Sequence, residues 1–283
     1  MTFQLRRMEL GDIEAGLRLC RAAGWNQLES DWRCFLDWNP EGCRVAVSGG
    51  AVAGTVGALR YQERFAWISM LLVDPAVRGQ GIGSALLREA LRILEGVATV
   101  RLDATPAGQA VYERYGFRSE YPLARVRAVA PGPSPAGFLS RARTMMPADL
   151  PRVLEMDRDV FGADRSALLN YLYASAPAYA FVAESEARIT GYSFGRRGYR
   201  ANHLGPIVSQ DESVARSLLS ICMERNPGGG FSLDAPRRNG AWLQWMASLG
   251  LAEERPFLRM FRGSNAWPGE PERVFAIAGP EFG

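Results

Sequence analysis

"LLVDPAVRGQGIGSALL", Leu71 to Leu87, sets three glycines, Gly79, Gly81 and Gly83, at alternating positions between an apolar run and an amphipathic one. Glycine at that spacing lets backbone approach a ligand with no Cβ in the way, and a helix beginning there turns its free N–H groups toward an anion. Phosphate is the group those two features suit. A P-loop would need a Gly-Lys-Ser/Thr ending, and the chain contains no lysine. A dinucleotide fingerprint is nearly met by Gly79-x-Gly81-x-x-Ser84, with Asp103 following at about the 20-residue spacing that fold uses. In that fold, however, the first glycine ends its strand directly, whereas "DPAVR" separates Val73 from Gly79, and helical and hairpin segments come before the strand.

Around this loop the chain reads as two copies of one pattern. "FQLRRMELGDIEAGLRLCRAAG" near the start is echoed by "SRARTMMPADLPRVLEMDRDVFG" from Ser140, and "VRLDATPAGQAVYERYGF" by "FSLDAPRRNGAWLQWMASLGL" from Phe231. Each copy predicts a strand, two helices, a hairpin, a strand, a helix, a strand, a helix and closing strands. In the first, Thr2 to Arg7 alternates as a strand, Asp12 heads a helix, and "CRVAVSGGAVAGTVGALRY" turns at Gly49-Gly50. "FAWISMLLV" is apolar almost throughout and belongs in the centre of a sheet. "APGPSPAG", Ala130 to Gly137, has the composition of a linker. The expected division is therefore 1–129, a linker at 130–137, and 138–283, within the reach of 283 residues and 47% hydrophobic content.

The loop and the segment after it carry a family resemblance. Arg78-Gly79-Gln80-Gly81-Ile82-Gly83, between a strand ending "LLV" and the helix "SALLREALRIL", resembles the acetyl-CoA loop of the GNAT superfamily of N-acetyltransferases, and "AVYERYGF", Ala110 to Phe117, looks like its second signature. One departure is Thr105, where many members carry Asn seven residues before the tyrosine. The resemblance implies an α/β fold of two tandem GNAT-like domains, each a mostly antiparallel mixed sheet flanked by helices. It implies that backbone N–H groups from Gly79 to Ser84, including Gln80, Ile82 and Gly83, take a pyrophosphate with Arg78 beside them. The strand edge Leu71, Leu72 and Val73 would pair with the pantetheine, and Tyr112 would be the acid that protonates the departing thiolate. The acceptor site would lie between the first two helices and the splayed strands, where "AGWNQLESDW" brings Trp25, Asn26 and Trp32, with Trp67 and Ser69 on the central strand.

The second copy lacks these features. Aligning Val208 with Val73, its loop "SQDESVA" is three residues shorter, has no glycine and carries Asp211 and Glu212, which repel pyrophosphate. Met246 stands where Tyr112 stands in the first copy. The general base is left open among Glu63, Asp103, His203 and a water chain. Asp103 has a counterpart in Asp234, which favours a structural role, capping the proline-started helix behind it.

Composition narrows the function further. No run of 18 apolar residues occurs and the N-terminal stretch is charged, so neither a transmembrane helix nor a signal peptide is expected, and a cytoplasmic protein is. A net charge of +3 is too mild to imply nucleic acid. Cys20, Cys34, Cys43 and Cys222 show no C-x-x-C spacing and only His203 could join them, so buried free thiols are expected and no metal. The resulting expectation is an acetyl-CoA-dependent acetylation of an amine, small-molecule rather than protein. Protein N-terminal acetylation and a non-catalytic acyl-CoA-binding regulator are the alternatives.

Overall fold

The computed structural model describes residues 2–129, 142–227, 230–238 and 240–283; the expected linker lies outside the described residues. The first half runs β1 (Phe3–Arg7), α1 (Ile13–Ala22), α2 (Glu29–Trp38), β2 (Arg44–Ser48), β3 (Ala51–Tyr61), β4 (Phe65–Val73), α3 (Ile82–Ile93), β5 (Thr99–Ala104), α4 (Pro106–Arg114) and β6 (Arg118–Ala128). The second repeats that order as β7 (Ala142–Thr144), α5 (Leu150–Phe161), α6 (Ser166–Ser175), β8 (Phe181–Ser185), β9 (Arg188–Arg196), β10 (Asn202–Ser209), α7 (Glu212–Arg225), β11 (Phe231–Pro236), α8 (Gly240–Ser248) and β12 (Ala252–Gly263). A short strand, β13 (Val274–Ala276), follows.

Local chemistry accounts for the elements. The β2–β3 hairpin turns at Gly49 and Gly50, whose φ values of 59° and 80° are the left-handed pair a two-residue turn requires. In α3 the buried residues Ile82, Leu86, Leu87 and Ala90 recur at helical spacing and lay that helix on the sheet. In α1 the buried positions include Gly16, where a Cβ would come within 2.9 Å of the Trp32 ring, so α1 and α2 meet through a residue with no side chain.

One sheet runs through both halves in the order β1-β2-β3-β4-β5-β12-β6-β11-β10-β9-β8-β7. The closing strands are exchanged. β12 of the second half lies antiparallel between β5 and β6 of the first, with Arg259 opposite Asp103, and β6 lies against β11 of the second, with Arg125 opposite Asp234. Each of those register pairs is a buried bidentate ion pair: Arg125 Nε and Nη2 reach the Asp234 oxygens at 2.8 and 2.7 Å, and Arg259 Nε and Nη2 reach those of Asp103 at 2.9 Å each. This corrects the capping role expected for Asp103 and Asp234. Both carboxylates are spent on an arginine of the exchanged strand, and Thr105 occupies the N-cap position of α4. Breaking such a buried pair from one side costs about 3–5 kcal/mol, so the exchange is specified by charge as well as by apolar pattern.

At the other end of each half the sheet opens. β4 and β5 are parallel and pair only at Ala66–Val100 and Trp67–Arg101, and β10 and β11 only at Asn202–Phe231 and His203–Ser232. Beyond those pairs the strands diverge, which creates one gap per half.

Candidate active site

The gap between β4 and β5 begins at a bulge. Pairing with β3 shifts register between Thr55–Leu72 and Gly57–Ser69, and Met70 takes a left-handed φ of 54°. The Thr55 hydroxyl, donating to the Met70 carbonyl at 2.8 Å, holds the bulge in place. A bulge leaves its extra residue out of the ladder and re-aims the strand; here it turns Ser69, Met70 and Leu71 to the cleft. Past Val73, the Asp74 carboxylate accepts from the Ala76 N–H at 3.0 Å, and the chain then enters Arg78–Gly83.

Gly79 and Gly81 have φ values of 79° and 84°, and a Cβ built on either meets no atom within 4 Å. Gly81 is the N-cap of α3 and no side chain caps that end. The loop is therefore an open cradle at a helix N-terminus whose first N–H groups have no side-chain acceptor, an arrangement suited to a phosphate oxygen. Arg78, Gln80 and Gly81 are exposed around it, and Gly83 and Ser84 are half-buried. The side chains of Leu72 and Ile82 point into the core, so only their backbone can serve a ligand.

The cleft lies at the bulged part of β4, the strand that leads into the cradle. It encloses about 80 Å³ of water-accessible space, with Trp25, Leu71, Ser69 and Tyr112 on the side of the first half. Tyr112, in α4, packs edge-on against Phe117 with ring centres 5.9 Å apart, and its hydroxyl has no hydrogen-bond partner among the described residues. Burial pushes its phenol up to about 12, which keeps the proton in place at neutral pH.

Three expected acceptor residues stand elsewhere. Trp32 is fully buried and packs on Gly16 in the α1–α2 core, so it is a packing residue, not a cleft residue. Asn26 fastens the two halves: its amide donates to the Ala201 carbonyl at 2.8 Å and its carbonyl accepts from the Arg200 N–H at 2.7 Å. Trp67 is buried beside the β4–β5 junction and donates from Nε1 to the Pro280 carbonyl at 2.9 Å. Of the candidate bases, Glu63 sits in an exposed turn. His203 is buried against the Ile277 carbonyl, outside the cleft. Asp103 lines the cleft with both oxygens engaged by Arg259.

Residues that no motif marks complete the walls: Gln27, Arg125, Arg255 and Phe257, with Pro280 and Glu281 from the segment after β13. That segment is threaded into the first half. Ser69 donates to the Glu281 carbonyl at 3.1 Å, Arg196 bonds the Glu281 carboxylate, and Phe282 stacks on Phe35 at 5.4 Å.

The second half closes both of the corresponding features. Asp211 accepts from the Val214 N–H at 3.0 Å and so supplies the N-terminus of α7 with a built-in carboxylate. β13 pairs with β10 at Ile207–Ala276 and Val208–Val274, and the Ile277 N–H donates to the Asp234 carbonyl of β11 at 2.9 Å, filling the gap with the chain's own backbone. Met246, fully buried, stands in the place of Tyr112.

Comparison with known proteins agrees with this architecture. A family model described as the acetyltransferase (GNAT) family matches residues 13–117, and a second, an acetyltransferase (GNAT) domain, matches 153–276. The chain belongs to the GNAT acyltransferases, in a tandem form. A relative from Pseudoalteromonas sp. (strain SANK 73390), named holothin acyltransferase, is 25% identical over 265 residues, 93% of this chain and 88% of that protein. An uncharacterized N-acetyltransferase of Bacillus subtilis (strain 168) is 22% identical over 77% of each chain. Among solved structures, a putative acetyltransferase from Pyrococcus horikoshii superposes with a TM-score of 0.83 at 22% identity, covering 99% of this chain and 96% of that one. The described residues include no helix long and apolar enough to cross a membrane.

Proposed function

We propose that the first GNAT half transfers the acetyl group of acetyl-CoA to the amine of a small molecule, with both substrates bound together, and that the second half does not bind the coenzyme. The observation that carries this reading is the course of one strand: β4 brings Ser69 and Leu71 into the cleft that Tyr112 lines and then runs on past Val73 to the uncapped glycine cradle at α3. Bound there, acetyl-CoA would supply an activated thioester. Backbone N–H groups from Gly79 to Ser84 would hold the pyrophosphate, with the Arg78 guanidinium beside them. The bulged edge at Leu71 would orient the thioester carbonyl. Tyr112, protonated at neutral pH, gives its proton to the sulfur as the carbon–sulfur bond breaks and the carbon–nitrogen bond forms.

The amine's proton goes to Glu281. Its Oε1 is bonded to Arg196, while its Oε2 has no hydrogen bond among the described residues, and it lines the cleft. A small acceptor is favoured because Pro280 and Glu281 from the threaded segment, and Arg255 and Phe257 from β12, wall the cleft that a peptide would have to enter. The relative named holothin acyltransferase supports an acceptor of that size. Four buried free thiols suit a protein of the cytoplasm. A thiol-release assay with acetyl-CoA and a panel of small amines and peptides tests the reading. Release with small amines, slowed in Tyr112→Phe, is expected, and release only with peptides overturns it.

A further inference from the structure

On the reading that this cleft takes the acceptor, its charges show what kind of acceptor it takes. Arg125 and Arg255 stand directly opposite each other on β6 and β12. Both guanidiniums lie over the ring of Phe257, with Cζ 5.1 and 4.8 Å from its centre. Like charges in directly opposed positions destabilise a sheet. Arg125 is matched by Asp234, but Arg255 makes no hydrogen bond and no ion pair among the described residues, and its Nε is buried without a partner. The strand exchange does not require this second arginine, because across from Arg259 the equivalent position is the neutral Tyr121. Burial, with Arg125 adding to it, brings Arg255 down to about 10, so it is still charged at neutral pH.

Elsewhere in the same cleft the imbalance is reversed. Arg196 serves two carboxylates, Asp31 at 3.0 Å from Nε and Glu281, and one oxygen of Glu281 is left without a donor. Gln27 Oε1 is buried and also has none. The other cleft carboxylate, Asp103, is matched by Arg259. The cleft thus lacks an anion at one place and an N–H donor at another, and Trp25, Ile68 and Leu102 contribute apolar wall.

We infer that the acceptor is an amino acid or a close amino-carboxylate with an apolar side chain, its carboxylate held by Arg255 and its amine by Gln27 and Glu281. A charge-assisted pair of this kind is worth roughly 10- to 100-fold in affinity.

The test uses the full chain with CoA present and a product-like pair, N-acetylphenylalanine and N-acetylphenylethylamine, which differ by the carboxylate. Calorimetry should show the acid binding roughly 10- to 100-fold tighter to the wild type, and Arg255→Met should bind the two alike. Equal or reversed preference in the wild type, preference retained in Arg255→Met, or no binding of either compound at millimolar concentration overturns the inference. If the variant does not fold, the wild-type comparison decides alone. Thiol release with phenylalanine and phenylethylamine separates the two readings. Discrimination in binding without thiol release would refute acetyl transfer and leave the carboxylate site standing, whereas turnover of phenylethylamine as fast as phenylalanine would refute the carboxylate site alone.

Discussion

The hydroxyl of Tyr61, at the end of β3, donates to the carbonyl of Phe282, 2.7 Å away and 221 residues later. Through this bond and the stacking of Phe282 on Phe35, the segment after β13 is part of a core that the first half shares with α5 and α6. Phe282→Ala should therefore cost about 3–5 kcal/mol, the range for emptying a buried aromatic site, measured by urea denaturation. A loss below about 1 kcal/mol, the scale of an ordinary surface change, would mean that the segment is held by its backbone alone.

Gly81→Glu should abolish acetyl-CoA binding while the protein stays folded. A Cβ at this position meets no protein atom within 4 Å, so the effect of the substitution falls on the ligand path, apart from roughly 1 kcal/mol of left-handed backbone strain. Calorimetry on the wild type should find one site per chain, because Asp211 already fills the counterpart helix end. Two sites, or unchanged affinity in the variant, would refute the assignment.

Tyr112→Phe should leave acetyl-CoA affinity intact and lower kcat by roughly 10- to 10⁴-fold, the span for a positioned acid. With the phenol held up to about 12, no fall in kcat from its ionisation is expected below about pH 11. Steady-state rates at several pH values check both statements. Wild-type turnover in the variant would assign the proton to water.

His203, the single histidine, is held down to about 3 by burial and by Arg196 nearby, against an ordinary value near 6.5 in the unfolded chain. The folded value lies below the unfolded one, so this contribution is fully present above pH 6.5 and is lost as pH falls toward 3. Between pH 7 and pH 5, where most carboxylates are still charged, uptake of one proton by the unfolded chain should lower stability by about 2 kcal/mol. Urea midpoints across that window should slope in the wild type and lie flat in His203→Gln. A flat wild-type curve would mean that His203 titrates alike in both states.

Residues 1–130 expressed alone should be insoluble or unfolded, and co-expression with 138–283 should rescue them. Severed there, β6 loses both of its neighbours, β12 and β11, and Asp103 is left buried without Arg259. A soluble fragment with native circular dichroism would show that β6 can close on β5 unaided.

The glycine loop, the tandem repeat and the loss of the second loop were legible because each is local: positive-φ glycines and a capping aspartate announce themselves within a few residues. The cleft was half legible. Trp25, Ser69, Leu71 and Tyr112 lie near motifs, whereas Arg255 and Glu281 reach the cleft through strand exchange and a threaded tail, pairings of high sequence separation that no periodicity encodes. Trp32 and Trp67 misled because an aromatic near a site and an aromatic beneath it read alike until the glycine each packs on, or the carbonyl each donates to, is known. Asp103 resembled a helix cap, being two residues from Thr105 and three from Pro106, until its arginine appeared on a strand 156 residues away.

The exchanged strands bear on ancestry. Were the two halves separate copies of one polypeptide, each would lodge its last strand in its twin, a two-fold dimer in which every substitution appears twice. An aspartate that blocked one anion cradle would block both, and a backbone plug in one gap would plug the other. Joining the copies end to end removes that constraint: a change can then be made on one side only. Two halves that differ in cradle and gap, yet both supply walls to a single cleft, become attainable after such a fusion.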